Sequence, residues 1–293
     1  MSKQMSELSE CIIINYKVMS KNDQVCATLI HEKLCITSDC GAGTGLKKVD
    51  YIICIDDDAT SALCASALAW RHKKVHKIFP TMLCVGGKGL MSRWTHKTTE
   101  GRHLAEVCKR CGIPKGRIVV LDKGTNTGAN IQEIWNAVLK LGEGNRVLFA
   151  CTKRLSLRLK LTQQKQAPKM DACYYVLPES MDAACKWYNG KRLGGCEMMY
   201  HELASILDRC EAYAGTFQEP IPFEITPDVR AAADYLASRY RLKMPRNLLQ
   251  NLRAIPQFLK LYFAIIRNRQ LMEDELETDI QRTLTHIETV IKP

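Results

Sequence analysis

Five short runs of apolar, largely β-branched residues recur with helical patterns between them, and this alternation leaves the chain few folds to choose from. The runs are YIICI (Tyr51 to Ile55), TMLCV (Thr81 to Val85), RIVVL (Arg117 to Leu121), RVLFA (Arg146 to Ala150) and ACYYVL (Ala172 to Leu177). Each has the length and continuous apolarity of a strand buried on both faces. Helical periodicity covers roughly Thr60 to Lys73, Thr98 to Cys111, Thr127 to Leu141 and Arg154 to Lys165. Successive strands start about 30 residues apart, the repeat of a βαβ unit with right-handed crossovers. The expected fold class is therefore α/β: a Rossmann-like, doubly wound parallel sheet of about five strands with helices on both faces.

From about Glu197 the strand signal fades. Glu197 to Ala214, Pro227 to Tyr240, Pro245 to Arg267 and Glu273 to Ile291 read as helices, with Pro227 and Pro245 at first-turn positions that tolerate proline. The expected organisation is an N-terminal segment of two short helices over 1–45, the α/β domain over 46–215 and a helical C-terminal region over 216–293. That last region would pack on the sheet domain or support a homo-oligomer. A glycine-rich stretch, Gly41-Ala-Gly-Thr-Gly45, resembles a dinucleotide fingerprint but precedes the first strand instead of following one, so it reads as a connection.

Composition narrows the function classes. With 46% hydrophobic residues over 293 positions the chain can bury a full core, and no run approaches the roughly 18 apolar residues of a membrane span. MSKQMSELSE lacks the pattern of a secretory signal, so a cytoplasmic location is expected. In that compartment the 14 cysteines read as buried thiols, not disulfides. One CxxC occurs, Cys108 to Cys111, in the last turn of a helix before Gly112-Ile-Pro114, with no second pair at a zinc-finger spacing, and no metal is expected. Net charge is +11, and residues 101–170 hold 14 Lys or Arg against 4 Asp or Glu. Basic and aromatic residues do not interleave and no RNA-recognition motif appears, which argues against nucleic acid. A positive funnel for a small anionic or nucleotide-like ligand suits the distribution better.

In an open parallel sheet the ligand lies beyond the carboxyl ends of the strands, so the loops after the five runs are the places to search. The first run ends in Asp56-Asp57-Asp58, where carboxylates would cap a helix or hold Mg²⁺, the cap being preferred. After the second come Gly86, Gly87 and Lys88, whose backbone N–H groups and ammonium suit an anion, although an ordinary tight turn uses the same residues. Thr125, Asn126, Thr127 and Asn130 follow the third; a helix cap needs one such side chain, and the surplus favours a binding loop. After the fourth, Thr152, Lys153, Arg154 and Arg158 open a helix, with Arg154 and Arg158 on one face where both could grip a phosphate. None of the histidines stands in a Ser-His-Asp or HExxH pattern and there is no GxSxG. Glu100, with His103 one turn on, is the one acid/base candidate.

Taken together these motifs resemble the YdcF-like family, the domain shared with ElyC and SanA. The resemblance spans about Val49 to Glu211 and rests on Val49-Asp50-Tyr-Ile-Ile, Val85-Gly86-Gly87, Glu100, Gly112-Ile-Pro114, Thr125-Asn126-Thr127 with Asn130, and Arg158. It implies a Rossmann-like fold with its pocket in these same loops and, in the YdcF branch, S-adenosylmethionine as ligand. Three positions depart from the family pattern. Asp56 to Asp58 replace glycines after the first strand, Leu155 stands where the family has His, and Ala129 replaces the Glu of NTxEN. Loss of a proton-transfer group argues against hydrolysis, while an acidic loop suits a ribose hydroxyl or an ammonium. The leading expectation is a binding protein for S-adenosylmethionine or a related nucleotide-type ligand. An enzyme acting on a phosphorylated or sugar-nucleotide substrate, and a basic nucleic-acid-binding or scaffold protein, are the alternatives.

Overall fold

The computed structural model describes residues 20–40, 46–55, 59–88, 97–177, 195–240, 274 and 276–291. Strands β1 (Tyr51–Ile55), β2 (Thr81–Val85), β3 (Ile118–Leu121), β4 (Arg146–Thr152) and β5 (Asp171–Leu177) form one sheet in the order β3-β2-β1-β4-β5. Every neighbouring pair is parallel. The connecting helices are α2 (Thr60–His76), α3 (Glu100–Arg110), α4 (Thr127–Leu141) and α5 (Lys153–Gln166), preceded by α1 (Lys21–Lys33) and followed by α6 (Gly195–Ala212) and α7 (Pro227–Tyr240). A last helix, α8, covers 276–286 and runs into a π-turn at Ile287–Ile291. The fold is the expected Rossmann-like doubly wound one, and among the described residues no helix is long and apolar enough to cross a membrane.

Strand alternation sorts the core into two layers. Ile52, Cys54, Met82, Cys84, Leu148 and Ala150 face one way, against Ala62 and Leu68 of α2 and Leu104, Val107 and Cys108 of α3. Tyr51, Ile53, Leu83, Val85, Val147 and Phe149 face the other, against Ile131, Ile134 and Val138 of α4 and Leu159 of α5. Since both faces are covered, the central strands carry no polar alternation. The third run behaves differently: β3 lies at the sheet edge and Val120 is 38% exposed, so the expectation of burial on both faces fails there. A continuous apolar run reports a strand, but its position within the sheet depends on partners far along the chain.

A further helical layer covers α5. Ala27 and Ile30 of α1 and its C-cap Leu34 pack with Leu157 and Leu161 of α5, Leu203 and Leu207 of α6, and Val229 and Leu236 of α7. Its polar anchor is the buried Asp23, which accepts from Tyr240 Oη at 2.8 Å and pairs with Arg239 Nε at 2.8 Å. Ser20 and Asp23 also form a reciprocal cap at the start of α1. The C-terminal helices do not gather as one body: α7 joins this layer, whereas Leu276, Ile280 and Leu284 of α8 pack against the α2/α3 side. This explains why α2 has apolar residues around most of its circumference, being enclosed by the sheet on one side and α8 on the other. The expected helix at Pro245 to Arg267, the Gly41 to Gly45 stretch and the first 19 residues lie outside the described residues.

Candidate functional site

All five strands are parallel, so their carboxyl ends share one rim, and the segments beginning at Gly86, Asp122 and Lys153 all leave the sheet from it. The chain leaves β1 through α2 toward β2, and leaves β4 through α5 toward β5 on the opposite side. Adjacent β1 and β4 therefore define a topological switch point, the position where an open parallel sheet is expected to take a ligand. Asp56, Asp57 and Asp58, expected on the β1 side of that position, lie outside the described residues.

The loops after β2 and β3 interlock through their glycines. Gly86 N–H donates to the Leu121 carbonyl at 2.8 Å and Gly87 N–H to the Gly124 carbonyl at 2.6 Å. A side chain at Gly86, whose φ is +133°, would meet Glu100 Oε2 at 2.5 Å, and one at Gly87 would meet the Gly124 carbonyl at 2.8 Å. Close backbone approach is thus what these glycines supply. Their amides are occupied by carbonyls of the neighbouring loop and are not the anion donors anticipated from the sequence. Lys88 is exposed and donates to the Lys97 carbonyl at 3.4 Å. Glu100 opens α3 with its carboxyl over Gly86, and Arg102 pairs with Asp122 at 2.8 Å across the two loops.

Beyond β3 the amides of Lys123 and Gly124 donate to Glu133, at 3.2 and 2.9 Å from Oε2, so a protein carboxylate fills that concavity too. Asn126 is the N-cap of α4 and accepts from Ala129 N–H at 2.9 Å. Thr125 is exposed and Thr127 half-buried at the first helical position. Asn130 is buried against Gly124, and its Oδ1 has no hydrogen-bond donor among the described residues. One member of this quartet is a cap, as the sequence suggested; the other three are not used by the helix terminus.

On the β4 side, Thr152 is the buried N-cap of α5 and Lys153 its buried first residue. Arg154 and Arg158 share a helix face as expected, but that face meets α6, where Arg154 pairs with Glu202. Arg158 forms no side-chain ion pair among the described residues, and its buried Nε has no acceptor. Burial, then the nearby Arg209, lowers its pKa, with Glu202 acting in the opposite sense. Nε of both arginines lacks an acceptor among the described residues, and the Glu202 carboxylate, paired with Arg154, stands where a phosphate was anticipated.

Two contributors were not legible beforehand. His31 of α1 is buried near Lys153, with neither ring nitrogen bonded among the described residues. Burial, followed by the charge of Lys153, lowers its imidazole to about 4, which leaves it neutral at pH 7. Glu202 of α6 is the other. Both come from helices outside the repeating βαβ segment, and nothing in their local sequence marks them. An open surface concavity of about 630 Å³ lies along one side of α8, lined by Asp274, Glu277, Thr278, Gln281, Arg282 and Thr285. Glu277 pairs with Arg110 at the far end of α3, so this concavity is at the opposite edge from the rim.

No family model matches this chain, and a search of the curated proteins found no match.

Proposed function

We propose that this chain is a small-molecule-binding protein whose ligand, S-adenosylmethionine or a related nucleotide-type molecule, occupies the carboxyl rim at the β1/β4 switch point. The observation that supports the reading is the strand order β3-β2-β1-β4-β5 in an all-parallel sheet, an arrangement in which ligands bind between the ends of the two strands whose connections diverge, here β1 and β4. In the sequence Asp56, Asp57 and Asp58 directly follow β1, and α5 starts after β4 with Thr152 and Lys153. An acidic side chain suits ribose hydroxyls or the ammonium of an amino-acid moiety. The amino terminus of α5 suits a carboxylate or phosphate. Since the glycine-loop amides are already bonded, the β4 side is the better place for the ligand's anionic end. Membership of the YdcF-like family, residence in the cytoplasm and self-association belong to the same proposal.

The test is thermal unfolding of the purified protein with S-adenosylmethionine, ADP, a sugar nucleotide, a polyprenyl phosphate and inorganic phosphate, each with and without Mg²⁺. A ligand that binds the native state raises the midpoint by mass action. S-adenosylmethionine should raise it without metal, and Asp57→Asn should reduce the rise. Sensitivity to Arg158→Met with none to Asp57→Asn would move the site to the α5/α6 seam and refute the switch-point site. Turnover of the sugar nucleotide that disappears in Glu100→Gln would replace the binding reading with an enzymatic one.

A further inference from the structure

Three cysteines from three different elements meet in the core beneath α2. Cys54 of β1 and Cys84 of β2 are directly paired in register, so their side chains leave the sheet on the same face, and Cys108 of α3 comes down upon both. The Cys54 and Cys108 sulfurs are 3.7 Å apart and those of Cys84 and Cys108 3.9 Å, and all three lie within 4.8 Å of one another. Each of the three residues has 0% exposure.

We propose that Cys54, Cys84 and Cys108 form a three-coordinate site for one thiophilic d¹⁰ metal ion. At a metal–sulfur distance of about 2.3 Å, a planar three-sulfur site requires sulfurs about 4.0 Å apart. Two of the edges already lie within a few tenths of an ångström of that value. Metal binding would displace the thiol protons, and the cation would offset the cost of burying the thiolates so formed. The three converging donors are all sulfur, and beside Cys108 stand the Ala62 carbonyl, which accepts from its thiol at 3.9 Å, and the Ser66 hydroxyl. Such a set selects Cu(I), Zn(II) or Cd(II) and rejects Mg²⁺ and Ca²⁺. Cys111, one helical turn on and also fully buried, is not among the three sulfurs that converge.

The test uses the full chain purified under reducing, metal-free conditions and titrated with Cd(II), whose thiolate bonds give an ultraviolet charge-transfer band. The expected result is saturation at one equivalent with a raised unfolding midpoint. Cys54→Ala and Cys84→Ala should abolish the band, while Cys173→Ala, a buried thiol on the same sheet face outside the triangle, should leave it intact. X-ray absorption of the wild-type complex should count three sulfur neighbours, a readout that stands even if the variants fold poorly. Displacement of Cd(II) by Cu(I) or by Zn(II) then ranks the two natural candidates. Absence of the band, its persistence in Cys84→Ala, loss of two thiols to a disulfide in the purified chain, or a requirement for Cys111 would each overturn the three-coordinate assignment.

Discussion

Gly101 and Gly128 each occupy the second position of a rim helix, α3 and α4 respectively, and replacing each by alanine should move stability in opposite directions. In a helix the change normally stabilises by about 0.5 to 1 kcal/mol, because alanine restricts the unfolded chain. At Gly128 an added Cβ would meet nothing nearer than Asn126 Oδ1 at 3.4 Å, an ordinary contact, so the full gain is expected. At Gly101 the Cβ would lie 2.7 Å from the Cys84 carbonyl oxygen and 3.0 Å from that of Leu121. Both are main-chain atoms of the sheet that no rotamer change can move aside. Overpacking of this kind costs about 1 to 3 kcal/mol, which exceeds the helix gain and leaves Gly101→Ala destabilised by about 1 to 2 kcal/mol. The two variants should then differ by roughly 2 kcal/mol, or about 0.7 M in urea midpoint for a slope near 3 kcal/mol per M. Urea unfolding followed by circular dichroism reads this directly. If Gly101→Ala stabilises as much as Gly128→Ala, α3 does not dock its first turn on the ends of β2 and β3, and the interlocked loops of the rim are wrong with it.

Other expectations follow from the buried polar groups. His31 has its folded pKa depressed to about 4 from an ordinary 6.5, so the unfolded chain binds the extra proton first; stability should fall as pH drops from about 6.5 toward 4, and His31→Leu should flatten that slope in thermal melts. At Asp23 burial pushes the carboxyl up, but hydrogen bonds from Tyr240 and Ser20 outweigh it and hold the net value below 3.8. Its stabilisation is therefore present at neutral pH and lost under acid: Asp23→Asn should be less stable than wild type at pH 7, with the gap closing below about pH 4. Removing the α4 cap by Asn126→Ala should cost about 1 kcal/mol in urea unfolding. Arg158→Met removes a half-buried guanidinium whose Nε has no acceptor among the described residues, so the unliganded protein should melt no lower than wild type.

Much of the architecture was legible because it rests on local periodicity. Continuous apolar runs of strand length, separated by helical patterns at a βαβ repeat, admit little besides a parallel sheet covered on both faces, and the loops that had to reach its carboxyl rim were known once the strands were. The pairing of Arg154 and Arg158 on one face, the Asn126 cap and the burial of Cys108 and Cys111 are likewise local consequences of helix geometry. Tertiary structure alone decided who meets whom. It put β3 at an edge, bonded the Gly86 and Gly87 amides to the next loop, and set Glu202 against Arg154. It also brought His31 to Lys153 and stacked Cys54, Cys84 and Cys108 into one triangle. Each of those contacts joins residues well separated along the chain, His31 and Lys153 the furthest. A chain records in its own neighbourhood what a residue can do, whereas the partner it does it with is set by packing the whole.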